Sequence, residues 1–587
     1  MRRWIALPAL CLAGFCLLQP SALGGRVYKS RINPNWAPDD SHMWYRNDLA
    51  QGAREYVLVD LKKGTREPAF DQEKLAKALI EKGLKGVQSD RLPIDRLQFG
   101  SSAGKAFFRA KGKPFEWNRK THQLREAEPP AFEDQPAEER KTEEKPGHYR
   151  PSRKLSPDGK WTVFARDHNL FVKPTGDGDE IQLSKDGKEG HAYKEAYWAP
   201  DSNHLVSFRV KPGKVSEVHL VESSPKDGGP AKLHSRKYPL PGDPFMTFEL
   251  NWFELSSKLR KKPDVGLIDF RWPRLRWSPD GRKFHYLKID RGHQRLRVIE
   301  FDALTGKHRN VIDETSDTFI WTEHPKDLGV PLVNWLTKTP EIIYLSEMEG
   351  WRHLYLIDVA TGKITNPITK GEFVVRYVDR IDEEKRQVWF RASGRNAGQD
   401  PYLMHYYRVN FDGSDLTALT EGNGWHKIDY SPSRKFILDT YSRVDLPPVH
   451  ELRRVSDGTL VCKLEQADVG ELEAEGWRPP EVFKAKGRDG KTDIWGIVCR
   501  PADFDPKKKY PVLESMYAGP HDSYVPKQFS PGRRFSAWTD MGFVVVKIDG
   551  MGTANRSKAF HDVCWKNLKD AGFPDRILWH KAYAKKN

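Results

Sequence analysis

The stretch RWSPDGRKFHYLKI, residues 276–289, joins a tight turn directly to a strand pattern. Proline presets the backbone φ that the turn needs, and glycine adopts a positive φ without steric cost. The aromatic and β-branched residues that follow suit a strand with one buried face. Residues 276–289 therefore predict one turn-plus-strand unit of a β-sheet protein.

This unit recurs along the chain, so it is a structural repeat rather than an isolated turn. Further copies are NWAPDDSHMWYR (35–46), KLSPDGKWTVFAR (154–166), YWAPDSNHLVSFRV (197–210) and the degenerate YSPSRKFILDTY (430–441). Strand–turn–strand segments such as LYLIDVATGKI interleave with them. A spacing of about 40 residues with about four short strands per repeat is typical of β-propeller blades. We expect a mainly β fold with seven or eight blades over residues 25–480.

Two segments interrupt the repeat. Residues 71–86, DQEKLAKALIEKGLKG, have helical spacing, with Leu75, Leu79 and Ile80 on one side. Residues 125–147 are rich in proline and glutamate and contain almost no large apolar side chains. Such a composition cannot bury enough apolar surface to order a chain. We therefore expect a helical insertion at 71–86 and a flexible acidic insertion at 125–147.

The sequence pattern changes after residue 480. Three apolar runs, at 494–499, 510–517 and 543–548, predict buried strands, and residues 555–570 and 574–586 predict helices. Continuous apolar strands that alternate with helices indicate an α/β domain. Residues 481–587 are thus expected to begin a second domain.

The N-terminus predicts export. Arg2 and Arg3 precede an apolar run over residues 4–18, which is shorter than the roughly 20 residues of a membrane span, and small residues follow. We expect residues 1–24 to be a signal peptide, with the rest secreted or periplasmic and not stably inserted in a membrane. Outside this segment the cysteines are Cys462, Cys499 and Cys564, an odd and widely spaced set that predicts neither a metal site nor a disulfide scaffold.

Charge alone does not indicate a nucleic-acid partner. The 97 lysines and arginines are scattered among 81 acidic residues, for a net charge of +16. No base-reading motif or interleaved aromatic and basic patch accompanies them. A solvated surface is the favoured interpretation, and the chain predicts no nucleic-acid partner, cofactor or metal.

The segment GSSAG, residues 100–104, matches the G-x-S-x-G pattern of a serine-hydrolase nucleophile elbow around Ser102. A working elbow lies between a buried parallel strand and a long helix. Here the preceding strand alternates in polarity, and Gly112 and Pro114 follow too soon for a long helix. Ser102 is therefore expected in a propeller hairpin turn and not as a nucleophile.

Three motifs beyond the repeat are more specific. They are FDPKKKYPV (504–512), YAGP (517–520) and GTANR (552–556). Together with the blade repeat they resemble the dipeptidyl peptidase IV branch of the prolyl oligopeptidase family of serine peptidases. The resemblance covers nearly the whole chain after the signal peptide. It implies a β-propeller followed by an α/β-hydrolase domain, and an acyl-transfer mechanism with an oxyanion hole.

The resemblance assigns roles to single residues. Tyr517 matches the tyrosine that donates to the oxyanion in the family, the alternative being a buried Tyr at a strand end. The family's exopeptidases grip a free amine with a glutamate pair, but GHAYKEAYWAPDS (190–202) offers only Glu195. Glu195 is a weak amine-anchor candidate, and an exposed blade residue is the favoured alternative. Glu347 and Glu349 belong to another blade and are expected to face solvent.

The parts that the family uses for nucleophilic attack are not found in the sequence. No elbow of the family's Gly-x-Ser-x-Gly-Gly form follows the predicted strands, so the α/β-hydrolase domain is expected to be truncated before its catalytic Ser, Asp and His. Two hypotheses remain open. One is a secreted peptidase of short peptides, inactive as this chain and a homodimer as the family implies. The other is a non-catalytic propeller that binds a peptide or a protein partner.

Overall fold

The computed structural model describes residues 27–100, 103–128, 154–322, 331–532, 535–569 and 571–587. Over residues 35–466 the chain forms eight successive antiparallel sheets, which are the blades of a β-propeller.

Blades 1–4 contain β1 Asn35–Trp36, β2 His42–Asp48, β3 Arg54–Asp60 and β4 Thr65–Pro68; β5 Ile94–Phe99, β6 Lys105–Ala110, β7 Lys113–Asn118 and β8 Gln123–Glu126; β9 Trp161–Arg166, β10 Asn169–Pro174 and β11 Ile181–Gln182; and β12 Ala192–Trp198, β13 His204–Lys211, β16 Thr247–Glu254 and β17 Leu259–Lys261. Between β13 and β16, strands β14 Ser216–Glu222 and β15 Lys232–Tyr238 form a separate hairpin.

The second half of the ring has the same architecture. Blades 5–8 contain β18 Arg276–Trp277, β19 Lys283–Ile289, β20 Arg295–Asp302 and β21 His308–Thr315; β22 Val333–Trp335, β23 Glu341–Ser346, β24 His353–Asp358 and β25 Ile364–Pro367; β26 Val374–Asp382, β27 Gln387–Ser393, β28 Met404–Asn410 and β29 Thr417–Ala418; and β30 Trp425–Tyr430, β31 Phe436–Arg443, β32 Leu446–Arg454 and β33 Leu460–Gln466. The predicted range of seven or eight blades is thus met by eight sheets among the described residues.

The repeated turn explains why each blade begins where it does. In the copy that opens blade 5, Asp280 accepts a hydrogen bond from the backbone N–H of Arg282 at 3.0 Å, and Gly281 has a φ of +69°. A Cβ on Gly281 would stand 3.2 Å from the side chain of Asp201, which belongs to the equivalent turn of blade 4. Glycine therefore serves both the turn and the close approach of neighbouring blades.

The ring closes where blade 1 meets blade 8. Tyr45 of β2 and Leu438 of β31 belong to one buried apolar cluster. Beside it, the buried Glu465 accepts hydrogen bonds from Tyr45 Oη at 2.9 Å and Asn47 Nδ2 at 2.8 Å, and it forms an ion pair with Arg66. The first and last blades are therefore joined by apolar packing and a polar network.

The helix of the first insertion is α1, Gln72–Glu81. Its N-cap Asp71 accepts a hydrogen bond from the backbone N–H of Lys74, and Leu75 and Leu79 are buried against blades 1 and 2. Ile80 is exposed, because it lies outside the arc that faces the blades. The expectation that Ile80 shares the buried side was wrong. The acidic insertion lies outside the described residues from 129 onward.

A mixed sheet follows the propeller after the short helix α2, Gly470–Ala474. Its strands are β34 Glu481–Lys486, β35 Asp493–Cys499, β36 Val512–Glu514 and β37 Val544–Asp549, and its helices are α3 Ser536–Thr539, α4 Lys558–Asp562 and α5 Phe573–Lys586. The sheet order is β34-β35-β37-β36, with β36 and β37 parallel and the other pairs antiparallel. Trp579 of α5 is fully buried against this sheet.

Two sequence expectations for this region were too long. The run at 510–517 forms a strand only over Val512–Glu514, and the helix expected at 555–570 spans only Lys558–Asp562. The chain takes a left-handed turn at Lys566, with a φ of +53°, and Cys564 packs against Phe319 of the propeller. Tertiary packing thus replaces the longer helix with turns.

Candidate active-site segment

Tyr517 lies just beyond the carboxyl end of β36, next to the parallel strand β37. Its carbonyl oxygen accepts a hydrogen bond from Arg576 Nη2 at 2.6 Å. Arg576 comes from the first turn of α5, is 2% exposed and also pairs with Glu514 at the end of β36. Helix α5 therefore holds the backbone of Tyr517 in place through Arg576.

Asp549, at the end of β37, fixes the far end of the same loop. Its fully buried carboxylate accepts hydrogen bonds from the backbone N–H groups of Tyr524, at 2.7 Å, and Val525, at 3.1 Å. Burial raises the pKa of Asp549, while Lys527 and these two N–H groups oppose the rise. Asp549 therefore anchors the loop after Tyr517.

Asn555 makes a third connection to this loop. Its Nδ2 donates to Asp522 Oδ1 at 2.7 Å and to Ser523 Oγ at 2.9 Å. The backbone of Asn555 is left-handed, with a φ of +73°, a conformation that asparagine tolerates better than most residues. The GTANR motif and the YAGP motif are therefore in direct contact through Asn555 and Asp522.

The phenol of Tyr517 is half-buried and lies close to Gly519 in the same turn. A Cβ on Gly519 would lie 2.7 Å from the phenol oxygen, so a larger residue there would displace the phenol. The ring of Tyr524 lies 5.7 Å away between ring centroids. A tyrosine hydroxyl is protonated at neutral pH, and burial raises the pKa of Tyr517 further above its ordinary value. The group can therefore donate a hydrogen bond to a developing oxyanion.

The edge of the sheet that carries this loop faces blades 5–8 of the propeller. Lys527 forms a buried ion pair with Asp400 of blade 7 at 2.7 Å. Lys558 Nζ donates to the carbonyl of Phe319, which follows blade 5, at 2.7 Å. The backbone N–H of Phe529 donates to Ser442 Oγ of blade 8 at 3.3 Å. The Tyr517 loop thus lies between the sheet and the propeller.

Glu195 occupies a different part of the ring. It is exposed, has a φ of +53° and stands at a β-bulge in β12 of blade 4, where the register shifts between Lys194 and Ala196. The interface contacts given above come from blades 5–8. The structure therefore does not bring Glu195 into the group of residues around Tyr517.

The expectation that Glu347 faces solvent was wrong. Glu347 is 4% exposed, and its Oε2 lies 3.2 Å from His561 Nε2 of α4. Glu349, two residues further, is exposed as expected. Of the two glutamates in the turn between β23 and β24, one is buried in the interface and the other is exposed. The local sequence does not specify which of the two is buried.

Ser102 itself lies outside the described residues, but its flanks are described. The strands β5 and β6 on either side pair antiparallel, and the N–H of Gly100 donates to the carbonyl of Lys105 at 3.0 Å. No helix follows, since β6 begins at Lys105. These flanks form a hairpin of blade 2, as the sequence predicted.

Within the ranges described, no three His, Cys, Asp or Glu side chains group as metal ligands would. Cys462, Cys499 and Cys564 are free thiols. None of the helices described combines the length and the apolar character that a membrane crossing requires.

An eight-bladed propeller joined to the start of an α/β sheet, with a tyrosine held at the edge that faces the ring, defines the class of propeller-capped α/β-hydrolases. Comparison with protein families agrees. A family model described as the dipeptidyl peptidase IV N-terminal region matches residues 119–448, more than half of the chain, and one described as the prolyl oligopeptidase family matches residues 528–587. The chain belongs to the dipeptidyl peptidase IV branch of the prolyl oligopeptidase family.

Individual relatives are distant. The chain is 24% identical to a probable dipeptidyl-aminopeptidase B of Aspergillus fumigatus over 477 residues, which is 74% of this chain and 50% of the relative, and 24% identical to that of Neosartorya fischeri over 484 residues, with the same shares. It spans about half the length of these curated relatives.

Solved structures support the fold. The crystal structure of Porphyromonas gingivalis dipeptidyl peptidase 4 matches with a TM-score of 0.54 at 17% identity, over 96% of this chain and 77% of that one. A putative dipeptidyl aminopeptidase IV from Bacteroides ovatus matches with a TM-score of 0.53 at 18% identity, over 95% and 78%.

Proposed function

We propose that this chain supplies the propeller and the oxyanion-side half of the active site of a secreted serine peptidase that cleaves short peptides. The observation that carries the proposal is the anchoring of the Tyr517 loop. Arg576 holds its beginning and Asp549 its end, so the phenol stands at a fixed place between sheet and propeller. A preorganised donor of this kind stabilises a tetrahedral oxyanion without reorganisation during the reaction.

Acyl transfer also needs a nucleophilic serine activated by a histidine and a carboxylate. The described contacts around Tyr517 involve arginine, asparagine, aspartate and tyrosine, and no such triad is among them. We therefore propose that the 587-residue chain alone does not hydrolyse peptides.

Two measurements test this proposal. Purified 587-residue protein is expected to give no turnover of Gly-Pro or Ala-Ala p-nitroanilide, and turnover would overturn its predicted inactivity. The DNA downstream of the Asn587 codon is the second measurement: a frame that encodes a strand, a Gly-x-Ser-x-Gly elbow and a helix would support the peptidase. An unrelated downstream sequence would favour the second candidate, a non-catalytic propeller that binds peptides or a protein partner.

Glu195 remains a candidate for weak amine binding. It lies on the surface of blade 4. If it anchors substrates, Glu195→Gln weakens the binding of Gly-Pro amide, measured by calorimetry, and leaves the binding of N-acetyl-Gly-Pro amide unchanged. Equal binding of the free and acetylated peptides to the parent protein would exclude this role.

Export through residues 1–24 is part of the proposal. Expression of the full chain in a bacterial host is expected to release a mature protein whose N-terminus, read by mass spectrometry, lies near Gly24. An uncleaved N-terminus in the cytoplasm would contradict secretion.

We also propose a homodimer, and the hairpin of β14 and β15 supports it. The hairpin carries exposed apolar side chains that include Val221 and Leu233. A two-stranded ribbon of this kind is marginal in water unless it packs on something else. Light scattering is expected to give a dimer that Val221→Lys with Leu233→Lys converts to a monomer; a monomeric parent would contradict it.

A further inference from the structure

The strongest feature outside the Tyr517 loop is a buried contact between an imidazole and a carboxylate at the joint between propeller and sheet. His561 of α4 is 1% exposed and lies 3.2 Å from the carboxylate of Glu347. Among the residues that the structure describes, neither carboxylate oxygen and neither imidazole nitrogen has a partner with hydrogen-bond geometry, so the 3.2 Å approach is a close contact and not an aligned hydrogen bond. The charge of Glu347 therefore depends on the imidazole for its nearest compensation.

The surroundings exclude water from this pair. The imidazole ring lies 4.8 Å from the ring of Phe319 and 5.7 Å from that of Trp321, between centroids. In such an apolar enclosure a buried charge that loses its partner is costly. Although burial raises the pKa of Glu347, the charges of His561, Arg352 and Lys558 lower it below its ordinary value overall.

Other charged groups near the pair have partners of their own. The guanidinium of Arg352 stacks over Trp321 at 4.4 Å, and Lys558 Nζ binds Asp562 at 2.9 Å as well as the propeller backbone. Glu314 accepts hydrogen bonds from Tyr344 Oη at 2.6 Å and Ser346 Oγ. None of these residues replaces the direct contact between Glu347 and His561.

A continuous set of hydrogen bonds leads from His561 to the loop after Tyr517. The carbonyl of Phe560, one residue before His561, accepts from the N–H of Gly552 at 2.7 Å. The same segment then contacts Asp522 twice, through the N–H of Ala554 at 3.2 Å and through Asn555 Nδ2 at 2.7 Å. Whatever holds α4 in place therefore also holds the loop that presents Tyr517.

We propose that Glu347 and His561 are positioning residues whose buried ion pair fixes α4 against blade 6 and thereby orders the loop after Tyr517. The inference rests on the proposed role of Tyr517, because only then does the order of this loop serve catalysis. It assigns to the propeller a function beyond enclosing the site. Blade 6 contributes one carboxylate that sets the geometry of the oxyanion-side segment.

Hydrogen–deuterium exchange of the full 587-residue chain tests the proposal and does not depend on peptide turnover. Glu347→Gln and His561→Gln are each expected to raise the exchange rate about tenfold in residues 517–527 and 550–563. A factor of about ten is at the lower end of the coupling expected between two sites that stabilise each other. Exchange in the strands of blades 1–4 is expected to stay unchanged. Glu349→Gln, an exposed glutamate of the same turn, is the matched control and should behave as the parent.

The double variant separates a pair from two independent residues. With both charges removed, exchange in the two segments should be no faster than in either single variant. Additive effects in the double variant, or parental exchange in both single variants, would overturn the proposal. If Glu347→Gln does not fold, the result for His561→Gln tests the proposal by itself. Faster exchange at 517–527 supports the proposal, and faster exchange only at 558–563 contradicts it. Absence of peptidase activity in every variant would concern the proposed function only.

Discussion

Two buried glutamates stabilise two different joints of this molecule. Glu465, where blade 1 meets blade 8, is surrounded by donors from Tyr45, Asn47 and Arg66. Glu347, where blade 6 meets α4, has His561 as its direct partner. A carboxylate with several donors tolerates the loss of any one of them, whereas a carboxylate with one partner does not. The ring closure depends on one shared network, whereas α4 meets the blade 6 turn through separate contacts, those of His561 with Glu347 and of the Lys558 N–H with the Gly350 carbonyl at 2.8 Å.

The largest expected effect is at the ring closure. Glu465→Leu removes the acceptor of the buried Tyr45 hydroxyl, one of the two acceptors of Asn47 Nδ2 and the closest ion-pair partner of Arg66. We expect it to lower the free energy of unfolding by about 3–5 kcal/mol in urea denaturation. Glu55→Gln, a half-exposed glutamate of the same network, is the control and should cost less than about 1 kcal/mol. Equal losses in the two variants would show that the buried network does not hold the ring.

The same glutamate predicts a pH dependence. Burial raises the pKa of Glu465, but the Arg66, Asn47 and Tyr45 donors lower it below its ordinary value overall. Its stabilising contribution is therefore complete above the unfolded-state pKa of about 4.3 and is lost as the pH falls below it. Stability measured from pH 7 to pH 3 should fall less steeply in Glu465→Gln than in the parent protein.

A smaller effect is expected where α5 supports the Tyr517 loop. Arg576→Met removes the donor to the Tyr517 carbonyl and the partner of Glu514, which should cost about 2–3 kcal/mol. Hydrogen exchange should rise at 514–519 and not at the ring closure. Lys581→Met, at an exposed position of the same helix, serves as the control, and a matching rise there would mean that the helix as a whole had loosened.

The smallest effect is expected at blade 8, which takes part in both joints. Ser442→Ala removes one acceptor for the N–H of Phe529 and should cost about 0.5–1 kcal/mol. Limited proteolysis should cut near residue 529 slightly faster while the propeller stays intact. Loss of the propeller at the same rate would show that the two joints are one cooperative unit.

Much of the fold could be predicted because its signals are local. The turn around Gly281 uses residues that are adjacent in sequence, and the same turn recurs at the blade spacing. Helix α5 was likewise expected at nearly its observed position. The helix expected at 555–570 was too long, since contacts with Phe319, a residue more than 200 positions earlier, end it after Asp562.

The candidate site could be predicted only in part. The YAGP motif singled out Tyr517, but the residues that hold it, Arg576 and Asp549, gave no signal of their role. In the sequence Arg576 is one of several charged residues of a predicted helix. Its role in holding the Tyr517 loop is seen only in the structure, where its side chain is buried. A buried charge is recognisable by its partners, and those partners come from distant parts of the chain.

The sequence by itself determined the repeated blades and the change to an α/β pattern after residue 480, because turn chemistry and strand patterning are encoded in neighbouring residues. Short motifs made Tyr517 a candidate site residue. Only the tertiary structure decided that Glu347 is buried and Glu349 exposed, and that α4 pairs with blade 6. Two glutamates in one turn have the same local propensities. What separates them is the imidazole of His561, which the fold brings to within 3.2 Å of one of them.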